Sequence, residues 1–271
     1  MKIAAIVIVF HPEIEAFIAN LRSYHADVDS ILIWMNSLEN IKLPALIRKK
    51  VVYCGSGQNE YIARPLNYAI NWCIENNYDY LLTMDQDSTW ENFSGFIKQV
   101  HRIQESETAI YAPNVNSIYS NNVSFHYVES VITSGSLLNV KIAYRLKGFR
   151  EDYQIYWVDG EFCHWLRLNG YKIKVLPRYN LKHLFGKETK TLLGYKTSNY
   201  SPIVYFFLIR NMLWMKREYV NHPSWRCILY TIFYNIRGII LGENNKFFKI
   251  SMIGKAFWHG LFQPIYRRPQ Q

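Results

Sequence analysis

The sequence lacks the features that define several common protein classes. Its 271 residues contain only four cysteines, which lie far apart and form no C-x-x-C pair, so a structural zinc site and a disulfide framework are not expected. The apolar window 227–241 is interrupted by Asn235 and Arg237, and it is shorter than the roughly 20 residues that a membrane-spanning helix requires. The loop with Gly55 and Gly57 lacks the Gly-Lys-Ser/Thr that would make it a phosphate-cradling loop.

The N-terminus and the cysteines together predict a cytoplasmic protein. The apolar run Ile3–Phe10 is short and is followed by His11-Pro12-Glu13, not by a small-residue cleavage site, so we expect no signal peptide. Unpaired cysteines fit a reducing compartment.

Acidic residues are scarce in the second part of the chain. Residues 161–271 hold 18 Lys and Arg against 4 Asp and Glu, whereas residues 1–160 hold 13 against 17. The basic part therefore favours an anionic partner, which could be nucleic acid, an anionic membrane surface or a phosphorylated substrate. A generally basic protein without a specific partner is the alternative.

Apolar runs that alternate with amphipathic segments predict an α/β fold. Strands separated by helices favour a mostly parallel sheet, whose ligands bind at the carboxyl ends of the strands. The predicted strands are Ile3–Phe10, Ser30–Met35, Lys50–Cys54, Tyr80–Met84, Ala109–Pro113, Ser130–Leu138 and Lys172–Leu176. The predicted helices are Pro12–Ser23, Ile62–Asn76 and Glu161–Asn169.

The last third of the chain has a different character. Ser201–Tyr219 and Ser224–Leu241 are aromatic, basic and predicted to be helical. They either pack on the core or lie in a membrane interface with Arg and Lys on the polar side. We therefore divide the chain into a domain of residues 1–193 and a helical extension of residues 194–271.

Two aspartates at a strand end are the main chemical feature. Asp85 and Asp87 follow the apolar run Tyr80–Met84, and alternation along an extended chain places both carboxylates on one side. Two close carboxylates repel each other unless a cation or a shared proton relieves them. Mg²⁺ commonly sits on such carboxylates together with substrate phosphates. A solvated turn after the strand is the alternative.

Several short motifs follow one another along most of the chain. They are Ile6–Pro12, Asn59–Asn67, the "MDQDS" of residues 84–88, "TSGSLL" at 133–138, "GFRED" at 148–152, "VDGEFC" at 158–163, "KHLFG" at 182–186 and "RN" at 210–211. In their order and spacing these motifs resemble the family-2 glycosyltransferases of the GT-A fold, in particular their bacterial rhamnosyltransferase-like branch, which builds surface polysaccharides.

The resemblance implies a GT-A, Rossmann-like sheet flanked by helices and roles for particular residues. It implies Mg²⁺ or Mn²⁺ as cofactor, and Asp159 as the general base that takes the acceptor proton. The implied metal ligands are Asp85, Asp87 and His183. The implied donor-binding residues are Phe10, Pro12, Asn36, Asn59, Asn67, Asp85, Ser134 and Gly135. The implied acceptor-side residues are Gly148, Phe149 and Glu161.

Several of these residues also have plainer interpretations. Asp159 and Glu161 could cap the following helix, because carboxylates are favoured in a first turn. Ser134 and Gly135 could form an ordinary turn at a strand end, and His183 could be a surface histidine beside Lys182.

Three positions depart from the family pattern. Met35 stands where an acidic residue usually contacts the nucleotide, Tyr61 replaces a glycine, and Trp165 replaces an arginine. Because Met35 replaces the acidic residue that contacts the nucleotide, the sequence does not identify the nucleotide, and dTDP-rhamnose and UDP-hexoses are both candidate donors.

The expected partners are a nucleotide-sugar donor and a glycan acceptor, lipid-linked and presented at the inner face of the cell membrane, with peripheral membrane contact and no nucleic acid. A metal-dependent hydrolase would need further clustered His or Asp ligands, and a nucleic-acid-binding protein would leave the acidic half unexplained. Both stay alternatives.

Overall fold

The computed structural model describes residues 1–183, 189–190, 194, 196–219 and 222–268. The chain forms two compact units. The first consists of Met1–Gln154 and Val158–Leu184, and the second of Ile155–Trp157 and Phe185–Gln271. The predicted domain boundary after residue 193 falls in a stretch that is only partly described, and it stays a prediction.

The first unit is built on a mixed sheet with the strand order β3-β2-β1-β4-β8-β6-β9-β5, and β7 pairs with β9. The strands are β1 (Ile3–Val9), β2 (Ser30–Met35), β3 (Val51–Cys54), β4 (Tyr80–Asp85), β5 (Thr89–Trp90), β6 (Thr108–Val115), β7 (His126–Tyr127), β8 (Ser136–Asn139) and β9 (Lys172–Lys182). Strand β1 is almost entirely buried, as an unbroken apolar run predicts for a strand covered on both faces.

Both parallel and antiparallel pairs occur in this sheet. Strands β3, β2, β1 and β4 are parallel neighbours, and so are β6 and β9. Strand β8 runs antiparallel between β4 and β6. The carboxyl ends of β1, β2 and β4 therefore lie at one edge, which is where the sequence places Asp85.

Helices cover the sheet with their apolar faces. The longer ones in this unit are α1 (Ile14–Arg22), α3 (Ala63–Glu75), α4 (Phe93–Ile103) and α6 (Val158–Leu168), and the short ones are α2 (Ala45–Arg48) and α5 (Val140–Arg145). The predicted inward face of α3 is confirmed, since Leu66, Ala69, Ile70 and Cys73 are buried. Helix α4, which buries Phe93, Phe96 and Val100, was not predicted from the sequence.

Two predicted strands differ from the structure by more than two residues at one end. The strand predicted over Ser130–Leu138 is confined to Ser136–Asn139, because Gly135 adopts φ +79° and Ser136 N–H donates to Thr133 O in a turn. The strand predicted over Lys172–Leu176 continues to Lys182, so that His183 follows it directly.

The second unit contains three helices and a two-stranded hairpin. They are α7 (Pro202–Glu218), α8 (Trp225–Gly242) and α9 (Lys246–Phe262), with β10 (Thr189–Lys190) and β11 (Lys196–Thr197). The sequence predicts α7 and α8 to within two residues at each end, whereas α9 was not predicted. None of the helices in the described residues has the length and apolar character needed to cross a membrane.

Glu243 is the centre of a buried polar cluster in this unit. Its carboxylate accepts hydrogen bonds from Tyr205 OH at 2.8 and 2.9 Å, from Asn199 N–H at 3.2 Å and from the Thr197 hydroxyl. It also pairs with Lys249 Nζ at 2.8 Å. Burial alone would raise the pKa of Glu243, but the hydrogen bonds from Lys249, Thr197 and Tyr205 hold this pKa below its usual range.

Helix α7 also holds the segment Ile155–Trp157. Asn211 Nδ2 donates to Ile155 O at 2.9 Å and to Tyr156 O at 2.8 Å. Arg210 orients this amide by donating to Asn211 Oδ1 at 2.9 and 2.7 Å. The segment needs such support because Tyr156 and Trp157 have φ values of +63° and +62°, which non-glycine residues adopt at a cost of roughly 1–2 kcal/mol each.

Candidate active site

Two carboxylates and a histidine meet at the carboxyl end of β4. Asp85 ends the strand, Asp87 lies in the following turn, and His183 follows β9. One ligand atom from each of the three lies within 4.8 Å of the others. His183 Nδ1 is 3.7 Å from Asp85 Oδ2. The structure therefore brings together the three side chains that the resemblance implies as metal ligands.

The turn that carries the aspartates is held from two neighbouring elements. Asn20, buried on α1, donates from Nδ2 to Asp85 O at 2.9 Å and to Ser88 O. Gln86 Oε1 accepts Phe10 N–H at 2.8 Å, while Gln86 Nε2 donates to Phe10 O at 3.1 Å. The Gln86 amide thus joins the end of β4 to the residue after β1.

A chain of hydroxyl groups connects Asp85 to His183. Asp85 N–H donates to Ser134 Oγ at 3.1 Å, and Ser134 Oγ–H donates to Ser88 Oγ at 2.7 Å. Ser88 Oγ lies 2.8 Å from His183 Nδ1. Both serines are buried, so the chain fixes the histidine ring against the aspartate turn.

The backbone of His183 is fixed as well. Asn116 Oδ1 accepts His183 N–H at 3.1 Å, and Asn116 Nδ2 donates to His183 O at 2.9 Å. With its ring and backbone both held, the imidazole has little freedom to leave the carboxylates.

The electrostatics of the site favour a bound cation. Burial, with the negative charges of Asp87 and Asp159, raises the pKa of Asp85 to about 7. Burial lowers the pKa of His183, although the charge of Asp87 acts in the opposite direction. A neutral imidazole is the form that binds a metal, and a cation would relieve the repulsion between the carboxylates.

Asp159 stands in the first turn of α6. Its Oδ1 accepts the Gly160 N–H at 2.8 Å, and burial raises its pKa against the lowering effect of that bond. After burial and the charge of Asp87, its negative charge is a further cause that raises the pKa of Asp85. Glu161 is fully buried on the same helix, so it is not a solvent-exposed cap.

The predicted donor-side asparagines already bind the protein itself. Asn36 accepts hydrogen bonds from Trp34 Nε1 at 3.1 Å and Glu60 N–H at 3.0 Å, and donates to Tyr61 O at 2.8 Å. Asn59 Oδ1 accepts the Tyr61 N–H at 3.0 Å. Both residues shape the loop after β3.

The remaining predicted residues fall into three groups. Asn67 Nδ2 donates to Phe149 O and Asn67 Oδ1 accepts the Phe149 N–H, both at 2.8 Å. These bonds hold Gly148 and Phe149 against α3. Phe149 is buried against Phe162, with a ring-centroid distance of 4.3 Å. Phe10 is exposed and Pro12 half-buried, and both follow β1. Gly135 N–H donates to Thr83 O at 2.7 Å beside Ser134.

Sequence reasoning missed the residues that hold the site together. Asn20, Gln86 and Asn116 were not singled out, and Ser88 was noted only as part of the motif. A polar Asn20 on the apolar face of α1 was the available signal, because buried polar groups are retained where they form hydrogen bonds.

No protein-family model matches the chain. A curated relative, the dTDP-rhamnosyl transferase RfbF of Shigella flexneri, is 25% identical over 247 residues, covering 82% of this chain and 81% of RfbF.

Solved structures with a similar fold are glycosyltransferases. GalNAc-T7 with UDP, GalNAc and Mn²⁺ has a TM-score of 0.59 at 9% identity, covering 97% of this chain. The chain spans 56% of the GalNAc-T7 chain. The mannosyltransferase PcManGT of Pyrobaculum calidifontis, with GDP-Man and Mn²⁺, has a TM-score of 0.57 at 11% identity, covering 98% of this chain and 76% of its own. S. aureus TarS residues 1–349 with UDP-GlcNAc has a TM-score of 0.55 at 14% identity, and the match covers 96% of this chain and 82% of the TarS chain.

These findings confirm the GT-A fold and the family resemblance. Three observations agree: the mixed sheet, the aspartates at the end of β4 and the sequence similarity to RfbF. The chain therefore has the fold of the GT-A glycosyltransferases, and its sequence is similar to that of the dTDP-rhamnosyl transferase RfbF.

Proposed function

We propose that the protein is a metal-dependent inverting glycosyltransferase that moves a sugar from a nucleoside-diphosphate sugar to a glycan acceptor. The observation that carries this proposal is the grouping of Asp85, Asp87 and His183 within 4.8 Å at the carboxyl edge of the sheet. The charge of Asp159, which reaches the same group, adds a candidate general base.

The three side chains fit a hard divalent cation. With bonds of about 2.1 Å, neighbouring ligands of Mg²⁺ lie roughly 3–4 Å apart, so small side-chain movements close the group around an ion. Mg²⁺ or Mn²⁺ held by Asp87, Asp85 and His183 would stabilise negative charge on the departing diphosphate. That GalNAc-T7 and PcManGT were solved with Mn²⁺ supports the assignment.

The proposed donor site lies around the ends of β1 and β4. In this proposal Phe10, Pro12 and Asp85 contact the nucleotide, and Ser134 and Gly135 contact the sugar. Asn36, Asn59 and Asn67 support the donor loops through the hydrogen bonds described above. The RfbF relationship favours dTDP-rhamnose as donor, and the TarS complex with UDP-GlcNAc keeps a UDP-hexose as the alternative.

Asp159 is the proposed general base. As the acceptor oxygen attacks the anomeric carbon, its proton passes to the Asp159 carboxylate, and the bond between the anomeric carbon and the diphosphate oxygen breaks. Attack on the face opposite the leaving group inverts the anomeric configuration. The raised pKa of Asp159 makes the carboxylate a better proton acceptor. Gly148, Phe149 and Glu161 form the proposed acceptor side, where buried Phe149 and Glu161 shape the wall.

The proposed acceptor is a lipid-linked glycan of O-antigen, capsule or another surface polysaccharide. The excess of Lys and Arg after residue 160 supports an anionic acceptor such as a polyprenyl diphosphate. Such an acceptor places the enzyme in the cytoplasm, peripheral on the inner face of the cell membrane.

Thermal unfolding with nucleotides tests the proposal. UDP, dTDP, GDP and CMP are each added with Mn²⁺ and with EDTA. A ligand at a hundred times its dissociation constant stabilises the fold by about 2.7 kcal/mol. We expect one nucleoside diphosphate to raise Tm only with Mn²⁺.

Asp87→Ala should abolish this rise, while the matched control Asp27→Ala, which changes an exposed aspartate in a short 3-10 helix of the same unit, should keep it. A chain whose Tm responds to no nucleotide, or responds equally in EDTA, would contradict the metal-dependent donor site.

A further inference from the structure

Exposed aromatic side chains concentrate in the second unit. Of the 25 large apolar residues exposed among the described residues, 12 lie between Trp225 and Tyr266, and ten of these are aromatic. Phe247 is 94% exposed and Phe233 68%. Monomeric proteins rarely expose so many large apolar side chains in one short stretch unless the surface binds a partner.

On α8 these side chains share one face with cations. Residues spaced by three or four lie on the same side of a helix. The exposed residues at this spacing are Arg226, Tyr230, Phe233, Arg237 and Ile240. The opposite side, with Ile228 and Ile239, is buried.

Helix α9 repeats the pattern. Phe247, Trp258 and Phe262 are exposed along one side, while Ile253, Ala256 and Gly260 are buried on the other. Lys246 and Lys255 are exposed on the same helix. We name the exposed residues of α8 and α9 the aromatic-basic surface.

The charge on this surface has a single sign. Within residues 222–268, all described, the only acidic residue is Glu243, and its carboxylate is buried and bound to Lys249. Within this stretch no acidic residue therefore offsets the charges of the exposed Arg226, Lys246 and Lys255. A second copy of the chain would bring the same positive charge to the contact, which disfavours self-association through it.

We propose that the aromatic-basic surface docks on a membrane that contains anionic lipids. Trp, Tyr and Phe side chains partition into the headgroup and acyl boundary, while Arg and Lys pair with anionic headgroups. No described helix can span a membrane, so the docking is interfacial. The inference deepens the proposed function, because it rests on a lipid-linked acceptor and names the surface that brings the enzyme to it.

Vesicle flotation with the full chain tests the docking. We expect binding to vesicles of phosphatidylcholine with phosphatidylglycerol, little binding to phosphatidylcholine alone, and weaker binding as salt rises, because ions screen surface charges over about 8 Å at physiological strength. Each cation removed near an anionic membrane weakens partitioning about fivefold, given roughly 1 kcal/mol per charge.

The double variant Arg226→Glu/Phe233→Ser should therefore bind at least about tenfold more weakly. The matched control, Leu46→Ser/Lys49→Glu, changes an exposed apolar residue of α2 and the exposed basic residue that follows this helix, and it should bind like the unmodified protein. Equal loss in both variants, equal binding to neutral and anionic vesicles, or no binding at all would overturn the proposal.

Two further measurements separate the outcomes. If light scattering shows a dimer, and the α8 variant is monomeric, the surface binds a second copy of the chain. If the protein binds single-stranded DNA more tightly than vesicles, the surface binds nucleic acid. Either result overturns membrane docking. Because the vesicle assay contains no donor or metal, the nucleotide-induced Tm rise tests the proposed function separately on the same variants.

Discussion

The glutamine between the two aspartates is a structural clamp, and removing it should loosen the site. Its amide pairs with both backbone groups of Phe10, at 2.8 and 3.1 Å. Gln86 follows β4 and Phe10 follows β1, so one side chain joins the ends of two adjacent strands. Gln86→Met keeps the length of the side chain but removes both hydrogen bonds.

The structure sets the size of the effect. A hydrogen bond contributes about 1 kcal/mol net to stability. Because Phe10 is 45% exposed, its freed N–H and C=O can bind water and no buried polar group is left unpaired. We therefore expect a loss of about 1–2 kcal/mol in the free energy of unfolding, which corresponds to a Tm lower by about 3–6 °C.

Calorimetric titration distinguishes the clamp from the metal ligands. Phe10 and Pro12 belong to the proposed nucleotide side of the site, so Gln86→Met should weaken nucleotide binding by up to about tenfold, the equivalent of about 1.4 kcal/mol. Mn²⁺ affinity should change little. Gln104→Met alters an exposed glutamine after α4 and is the matched control, for which neither affinity should change.

Two results would refute this reasoning. An unchanged Tm would mean that the two hydrogen bonds contribute nothing to stability. A loss of Mn²⁺ affinity equal to the loss of nucleotide affinity would mean that Gln86 acts by positioning Asp85 and Asp87 and not by holding the end of β1.

Three other perturbations give measurable outcomes. Asp159→Asn should lower kcat by about 10²–10⁴-fold while the nucleotide-induced Tm rise persists, and loss of both would contradict its role as base. Because the raised pKa of Asp85 makes its ionised form unfavourable in the folded protein, the metal-free protein should lose stability as pH rises towards 7. The Tm gain from Mn²⁺ should be larger at about pH 8 than at about pH 5.5, and an equal gain at both pH values would contradict this. Glu243→Gln leaves Lys249 buried without its ion pair and should lower the free energy of unfolding by about 3 kcal/mol in urea denaturation, with Glu75→Gln as an exposed control that should change it little.

The sheet was predictable where strands are buried on both faces. Ile3–Val9 and Tyr80–Met84 are apolar runs in which almost every side chain is buried. The meeting of Asp85 and Asp87 at a strand end also followed from the chain itself. His183 could be assigned only through the family resemblance, since nothing local indicates that β9 extends to Lys182 and delivers it to the aspartates.

The direction of β8 and the supports of the site could not be predicted locally. Strand β8 runs antiparallel because of its neighbours β4 and β6, which are distant in sequence. Asn20 reaches the aspartate turn 65 residues away, and Asn116 reaches His183 67 residues away. Contacts of this kind leave no periodic pattern, because each depends on a single pairing in the folded chain.

The segment Ile155–Trp157 belongs to the second unit although it lies between two stretches of the first, and this limits how the protein can be truncated. A protein cut after Leu184 would retain the left-handed Tyr156 and Trp157 but lose Asn211, the partner of the Ile155 and Tyr156 carbonyls. This segment leads directly into Val158 and Asp159. During synthesis it must likewise wait more than 50 residues for helix α7 to emerge before its backbone is secured. A shortened fragment would therefore carry an unsupported segment of chain immediately before α6, the helix that holds the proposed general base Asp159.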